Sequence, residues 1–369
     1  MSLTEFHDLQ QLLLVLSFVL AVVFGWVTQK SHFCTMGAVS DIVNMGDWTR
    51  MRMWALAIAV AMLGFWGLAW SGQIEPADSV YSVHRLLWLS ALCGGLLFGF
   101  GMVLASGCAS KTLLRLGAGS FKALLVFVVM GASAQITSRG FLMDWRNRSV
   151  DQVQITDINS LLPSWLAQAV GLDLAKSGML LSLLIAGALL AWVLRSRSFR
   201  QDRASVMGGL GIGLCLVLMW WISGSLGLVQ EHPQTLEASY LIGSGQSFEA
   251  LSFVGPSART LEALSTESRF GYGTTLVAGV IVGAALQALR SGSFRWEGLH
   301  SVRDTGSHVI GAICMGIGGI TAGGCTVGQG LSGISTLSVI SIIALAGILA
   351  GAVLALRLQS WRVMRGANF

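Results

Sequence analysis

Apolar runs recur along this chain with short polar segments between them. A run of roughly twenty apolar residues is long enough to cross a bilayer as a helix. Such runs lie near 9–28, 53–71, 86–105, 121–138, 177–194, 206–228, 272–289, 306–322 and 334–356. The pattern predicts an all-α polytopic membrane protein with about nine transmembrane helices. One stretch interrupts it. Between Thr305 and Leu356, fifty-two residues contain no Lys, Arg, Asp or Glu, yet residues 322–333 read AGGCTVGQGLSG. Glycine is a poor helix former, so Gly323, Gly324, Gly328 and Gly330 predict a break at membrane depth, with Cys325 in the gap.

Composition supports the membrane reading. The 369 residues are 54% apolar and 11% charged, against about 25% charged in a soluble domain. Glu5, His7 and Asp8 precede the first apolar run, where a cleaved signal would carry positive charge. The basic residues are spread over short loops, which argues against a nucleic-acid partner and leaves membrane lipid as the surroundings. Sorted into alternating loops, sixteen fall on one face and seven on the other. The seven are Arg85, Arg139, Arg146, Arg148, Lys176, Arg259 and Arg269. The positive-inside rule makes the richer face cytoplasmic, with the N-terminus outside and the C-terminus inside.

The chain also resembles itself. GGLLFGFGMVLASGCASKTLLRLGAG (94–119) is similar to GAICMGIGGITAGGCTVGQGLSGIST (311–336) at an offset of 217 residues. Gly94, Gly99, Gly101, Ala105, Gly107, Cys108 and Leu114 fall on Gly311, Gly316, Gly318, Ala322, Gly324, Cys325 and Leu331. The copies lie in spans three and eight and therefore run in opposite directions. This predicts an inverted repeat with re-entrant short helices, a transporter signature. Residues 1–140 form the first repeat, with the Cys34 and Cys108 motifs. Residues 141–205 form an extracytoplasmic segment and the connecting fifth span. Residues 206–369 form the second repeat, with the Cys325 motif. The partner of the Cys34 motif should lie near residue 251, and there LSFVGPSARTLEAL (251–264) offers Phe253 as a match for Phe33, a register that puts Val254 opposite Cys34.

Candidate chemistry follows from the turns. Irregular backbone at membrane depth must line a protein-enclosed cavity. Gly107 and Gly324 allow the chain to reverse, and the free N–H groups of the following helix favour an anion. The thiols of Cys34, Cys108 and Cys325 are soft and weakly hydrogen-bonding, which suits a passing substrate with a terminal sulfur. Cys93, Cys215 and Cys314 lie within spans and read as packing residues. Some glycines, Gly94 and Gly99 among them, read as close helix contacts. Gln329 suits either a freed carbonyl or the substrate. His32 reads as a headgroup-level residue or as a group that tunes Cys34. Asp41 and Asp47 could carry coupled protons, or be solvated loop aspartates. The six cysteines show no CxxC spacing and no zinc-ribbon pattern, and no cofactor or metal is expected.

FGWVTQKSHFCTMGA, LASGCASKTLLRLGAG and TAGGCTVGQGLSG together resemble the three cysteine motifs of the YeeE/YedE family of prokaryotic sulfur-transport membrane proteins. The resemblance runs from the first span to the last. It implies uptake of thiosulfate, or of a related sulfur or selenium species, across the cytoplasmic membrane. It also implies that Cys34, Cys108 and Cys325 hand the substrate along, and that a small cytoplasmic sulfur-carrier protein acts beside the transporter. A membrane thiol enzyme, such as a sulfurtransferase or redox relay, is the alternative from another class. A permease or channel for a non-sulfur substrate is a third.

Overall fold

A computed structural model describes residues 3–156, 158–231, 237–243, 245–266, 271–298 and 301–366. Arg269 lies outside the described residues. The chain is helical almost throughout. It opens with α1 (Leu3–Lys30), the short α2 (Thr35–Met45), α3 (Thr49–Trp70), α4 (Trp88–Leu104), the short α5 (Ala109–Gly117) and α6 (Phe121–Arg139). Next come α7 (Phe141–Arg148), α8 (Leu162–Val170), α9 (Leu174–Leu194) and α10 (Arg197–Gln201). The remainder is α11 (Arg203–Trp221), α12 (Val254–Thr266), α13 (Tyr272–Arg290), α14 (Val302–Thr321) and α15 (Val339–Gly366). A π-helical segment, Gly328–Gly333, lies between the last two.

Side-chain caps set several of these starts. The Ser120 hydroxyl accepts the Ala123 N–H at the head of α6, and Ser301 accepts the Asp304 N–H at the head of α14. Each satisfies a donor that the first helical turn leaves free.

Eight helical segments among the described residues are long and apolar enough to cross a membrane. The ninth expected span is α14, a helix of 20 residues. Arg303, Asp304 and His308 occupy its first turns and make its start too polar to stand alone in lipid. It is held by protein instead, packed against α4 and α6.

Element contacts come in matching pairs. α1 packs on α13, as α11 packs on α3. α4 packs on α15, as α14 packs on α6, and α2 on α15, as α12 on α6. α4 and α14 cross each other at the centre. Glycine permits that crossing. A Cβ on Gly94 would lie 2.4 Å from the Ala322 nitrogen, and one on Gly311 would lie 2.6 Å from the Ala105 nitrogen. Gly99 likewise faces backbone, the Ile348 carbonyl.

α9 stands apart, packing on α3 and α8 and exposing Leu180, Leu183 and Leu184. Leu12, Val15 and Val19 are similarly exposed on α1. Such apolar outer faces suit acyl chains rather than water. Of the three cysteines expected to pack within spans, Cys215 is buried and Cys314 partly so. Cys93 is exposed instead.

Candidate functional site: three cysteine turns

α1, α4 and α14 end in the same way. The Phe33 N–H donates to the Thr28 carbonyl at 3.1 Å, Gly107 to Met102 at 2.8 Å, and Gly324 to Gly319 at 2.8 Å. These are the long backbone bonds that close a helix C-terminus through a left-handed residue. The left-handed residues are His32 (φ 52°), Ser106 (φ 55°) and Gly323 (φ 70°). Each precedes its cysteine by two positions. Chain reversal is expected at Gly107 and Gly324, but the left-handed turn falls one residue earlier. Two of the three residues there are not glycine. Holding His32 and Ser106 in that conformation costs of order 1–2 kcal/mol each, so packing around the turns imposes it.

Each cysteine then heads a new helical turn. The Gly37 N–H points at the Cys34 sulfur at 3.4 Å, and the Gly328 N–H at the Cys325 sulfur at 3.4 Å. The Cys108 sulfur lies 3.2 Å from the Ser110 hydroxyl and also meets the Lys111 N–H. All three sulfurs therefore sit where a helix presents unsatisfied donors. All three side chains are buried. The Cys34 and Cys108 thiols face each other, and Cys108 also faces the Thr326 hydroxyl from the opposing loop. Cys325 lies on that opposing loop, beside the Phe253 backbone. Val254, aligned with Cys34, is the first residue of α12 and is fully buried against Gly319.

Gln329 is occupied at both ends. Its amide nitrogen donates to the Ala322 carbonyl at 2.9 Å, and its amide oxygen accepts from the Ser341 hydroxyl at 2.6 Å. It ties the end of α14 to α15 across the turn. A Cβ on Gly324 would come within 3.1 Å of the Gln329 Cγ. One on Gly107 would come equally close to the Lys111 side chain.

Residues 30–354 match the family described as sulphur transport. The chain belongs to the sulphur transport family. It is similar to the thiosulfate transporter TsuA of Spirochaeta thermophila, 24% identical over 327 residues, covering 87% of this chain and 91% of the relative. It is also 26% identical over 329 residues to the thiosulfate transporter TsuA of Escherichia coli K12, covering 85% of each. A shorter likeness, 29% over 102 residues, links it to the probable transporter YedE of the same organism, covering 27% of this chain and 23% of YedE. The chain is therefore a multi-pass membrane transport protein and not an enzyme.

Within this transport fold the two kinds of cysteine turn open to different surroundings. His32, Lys111 and Arg50 gather beside the Cys34 and Cys108 turns. Arg50 also pairs with Asp41 at 3.3 Å. Asp47 accepts both the backbone and hydroxyl donors of Thr49, at 3.0 and 2.7 Å. Asp41 and Asp47 thus hold a salt bridge and a helix start.

Beside Cys325, the Tyr81 hydroxyl donates to the Gly328 carbonyl at 2.6 Å. Trp220 lies edge-on to Tyr81 and donates its indole N–H to the Ser335 hydroxyl at 3.1 Å. Tyr81 is a site residue that sequence reasoning missed. It lies in a polar connecting loop, and only the fold brings it to the π-helical segment.

The two turn regions also differ in length by one residue. Cys108 and Cys325 are 217 apart, whereas Ser120 and Ser338, which precede α6 and α15, are 218 apart. Gly119 and Leu337, just before those serines, both have left-handed backbones (φ 97° and 59°). The extra residue falls where α5 is replaced by the π-helical segment. A single inserted residue is the usual origin of a π turn, and such turns recur at functional sites.

Among the described residues no group of three His, Cys, Asp or Glu could hold a metal. A separate surface cavity of about 470 Å³ is lined by Gln10, Arg139, Glu249, Arg259, Glu262 and Tyr272. None of the three cysteine turns lines it.

Proposed function

We propose that this chain imports thiosulfate, or a closely related sulfur anion, across the prokaryotic cytoplasmic membrane, past Cys325, Cys108 and Cys34 in that order. The observation that carries the reading is the set of three buried thiols, each on the same turn at the head of a helix. Helix N-termini supply partial positive charge for an anion. Neutral thiols offer weak S–H donors and polarisable sulfur to the terminal sulfur of thiosulfate. Weak contacts let an anion leave as readily as it enters. The names of the two long relatives support thiosulfate as the cargo.

The matched helix contacts support two inverted repeats, residues 1–140 and 206–369, with α9 as the connector. Inversion would open the Cys325 turn to the outside and the Cys34 and Cys108 turns to the cytoplasm. The N-terminus is then outside and the C-terminus inside. The mouth that holds Lys111 and Arg50, with His32 beside them, suits a departing anion and a small sulfur-carrier protein waiting to receive it.

Proteoliposomes and thiosulfate labelled separately at its two sulfurs test this. Both labels should accumulate together in intact thiosulfate. Cys108→Ala and Cys325→Ala should each slow initial uptake by more than about tenfold, equivalent to about 1.4 kcal/mol of barrier. Uptake at the wild-type rate by both variants would rule out passage along the thiols.

A further inference from the structure

Hydroxyl groups crowd the turn that Cys325 begins, and nearly all are engaged. Ser332 donates to the Leu251 carbonyl at 2.8 Å, Ser335 to Ser332 at 2.6 Å, Thr336 to Gly333 at 2.8 Å, and Ser341 to Gln329 at 2.6 Å. Across the interface, Thr112 donates to the Cys108 carbonyl at 3.1 Å. Thr326 is the exception. Its side chain is completely buried, and its Oγ1, which faces the Cys108 thiol, has no nitrogen or oxygen partner among the described residues. A buried hydroxyl without a partner is unfavourable, and a natural core keeps one where something else completes it. Thr326 follows Cys325 in the chain and faces the thiol of Cys108, so it stands beside both thiols of the opposing loops. The aligned residue of the other loop is Ala109, which carries no polar group.

We propose that Thr326 is a specificity-determining residue whose hydroxyl donates a hydrogen bond to an oxygen of the transported anion as its sulfur moves from Cys325 to Cys108. This rests on the sulfur-anion reading above and adds to it the group that recognises the oxygen end. A thiol is a poor donor to a hard oxygen, whereas a hydroxyl bonded to an anionic oxygen makes a short, charge-assisted hydrogen bond. The thiols on their own would treat any anion with a soft sulfur alike. The Thr326 hydroxyl favours one that also carries oxygens, and because Ala109 lacks it, the contact forms once on the path.

Concentration-dependent uptake of labelled thiosulfate into proteoliposomes tests the assignment, using wild type, Thr326→Val and Thr326→Ser. Valine keeps the shape and removes the hydroxyl, while serine keeps the hydroxyl and removes the methyl. Thr326→Val should raise the half-saturation concentration about tenfold, the equivalent of 1.4 kcal/mol, with little change in melting temperature. Thr326→Ser should return it to within about twofold of wild type, less than 0.5 kcal/mol. A wild-type half-saturation in Thr326→Val overturns the proposal and leaves thiosulfate transport standing. Loss of affinity in Thr326→Ser overturns it as well, since the methyl group would then be what matters. If Thr326→Val does not fold, Thr326→Ala takes its place under the same criterion. Absence of thiosulfate uptake by wild type would instead remove the sulfur-anion reading itself.

Discussion

On one side of the crossing of α4 and α14, two thiols from the first part of the chain, Cys34 and Cys108, face each other. On the other side, Cys325 has Val254 in the position aligned with Cys34. The first side continues into α5, while the second continues into a π-helical segment with one more residue. The first side lies beside His32, Arg50 and Lys111, and the second is covered by Tyr81 and Trp220. The backbone of the cysteine turns is nevertheless the same on both sides. The same backbone turn can therefore carry different side chains. In the transport proposed above, the helix N-termini attract the anion and the side chains select it.

The largest expected effect comes from breaking the crossing that relates the two sides. A Cβ on Gly94 would lie 2.4 Å from the Ala322 nitrogen and 2.8 Å from the Gly318 carbonyl. Both neighbours are backbone, so Gly94→Val must separate the helices. We expect no monodisperse protein by detergent size-exclusion chromatography, and a normal profile would show that the contact is not required.

Breaking the Cys325 side alone should cost less. Gln329→Leu leaves the Ala322 carbonyl and the Ser341 hydroxyl unpaired, at about 1–3 kcal/mol for each buried group. A lower melting temperature and slower uptake should follow. Gln329→Glu, which keeps an acceptor for Ser341, should fall between the two. Equal melting curves for all three would show that Gln329 does not pin the turn.

Smaller still is Tyr81→Phe, which removes the donor to the Gly328 carbonyl, a bond worth about 1 kcal/mol. Hydrogen exchange should rise locally in the Gly328–Gly333 segment while α5 stays protected. Equal exchange in mutant and wild type would remove Tyr81 from the account of the π turn.

The smallest effect is expected from making the sides more alike. Val254→Cys puts a thiol at the fourth position with little change in volume. Folding and thiosulfate uptake should stay near wild type. A large loss of uptake in a normally folded Val254→Cys protein would mean that the missing thiol is itself functional.

Much of the site was legible before folding was considered. The A-x-G-C echo at Cys108 and Cys325 is visible because Ala105 and Ala322 lie against glycines of the opposite helix, while Gly107 and Gly324 lie against the Lys111 and Gln329 side chains of their own turns. Cys34 was legible more faintly, since its turn uses His32 where the others use Ser106 and Gly323. Of these three residue types only glycine marks a left-handed turn outside its packed context. The one-residue offset between Ser120 and Ser338 was present in the sequence as well, but its meaning needed the π-helical segment.

The sequence by itself determined the membrane class, the approximate positions of the spans, the internal echo and the three cysteines. Each of these depends on apolar run length or on local residue pattern, which the linear chain carries directly. The tertiary structure decided that Cys34 meets Cys108, that Gln329 is consumed by the Ala322 carbonyl and Ser341, and that Tyr81 covers the π turn. It also decided that the buried Thr326 hydroxyl, beside the Cys108 thiol, is left without a nitrogen or oxygen partner among the described residues. Those outcomes depend on which groups remain unpaired after distant helices pack, and a hydrogen bond between positions 81 and 328 leaves no trace in the residues around either.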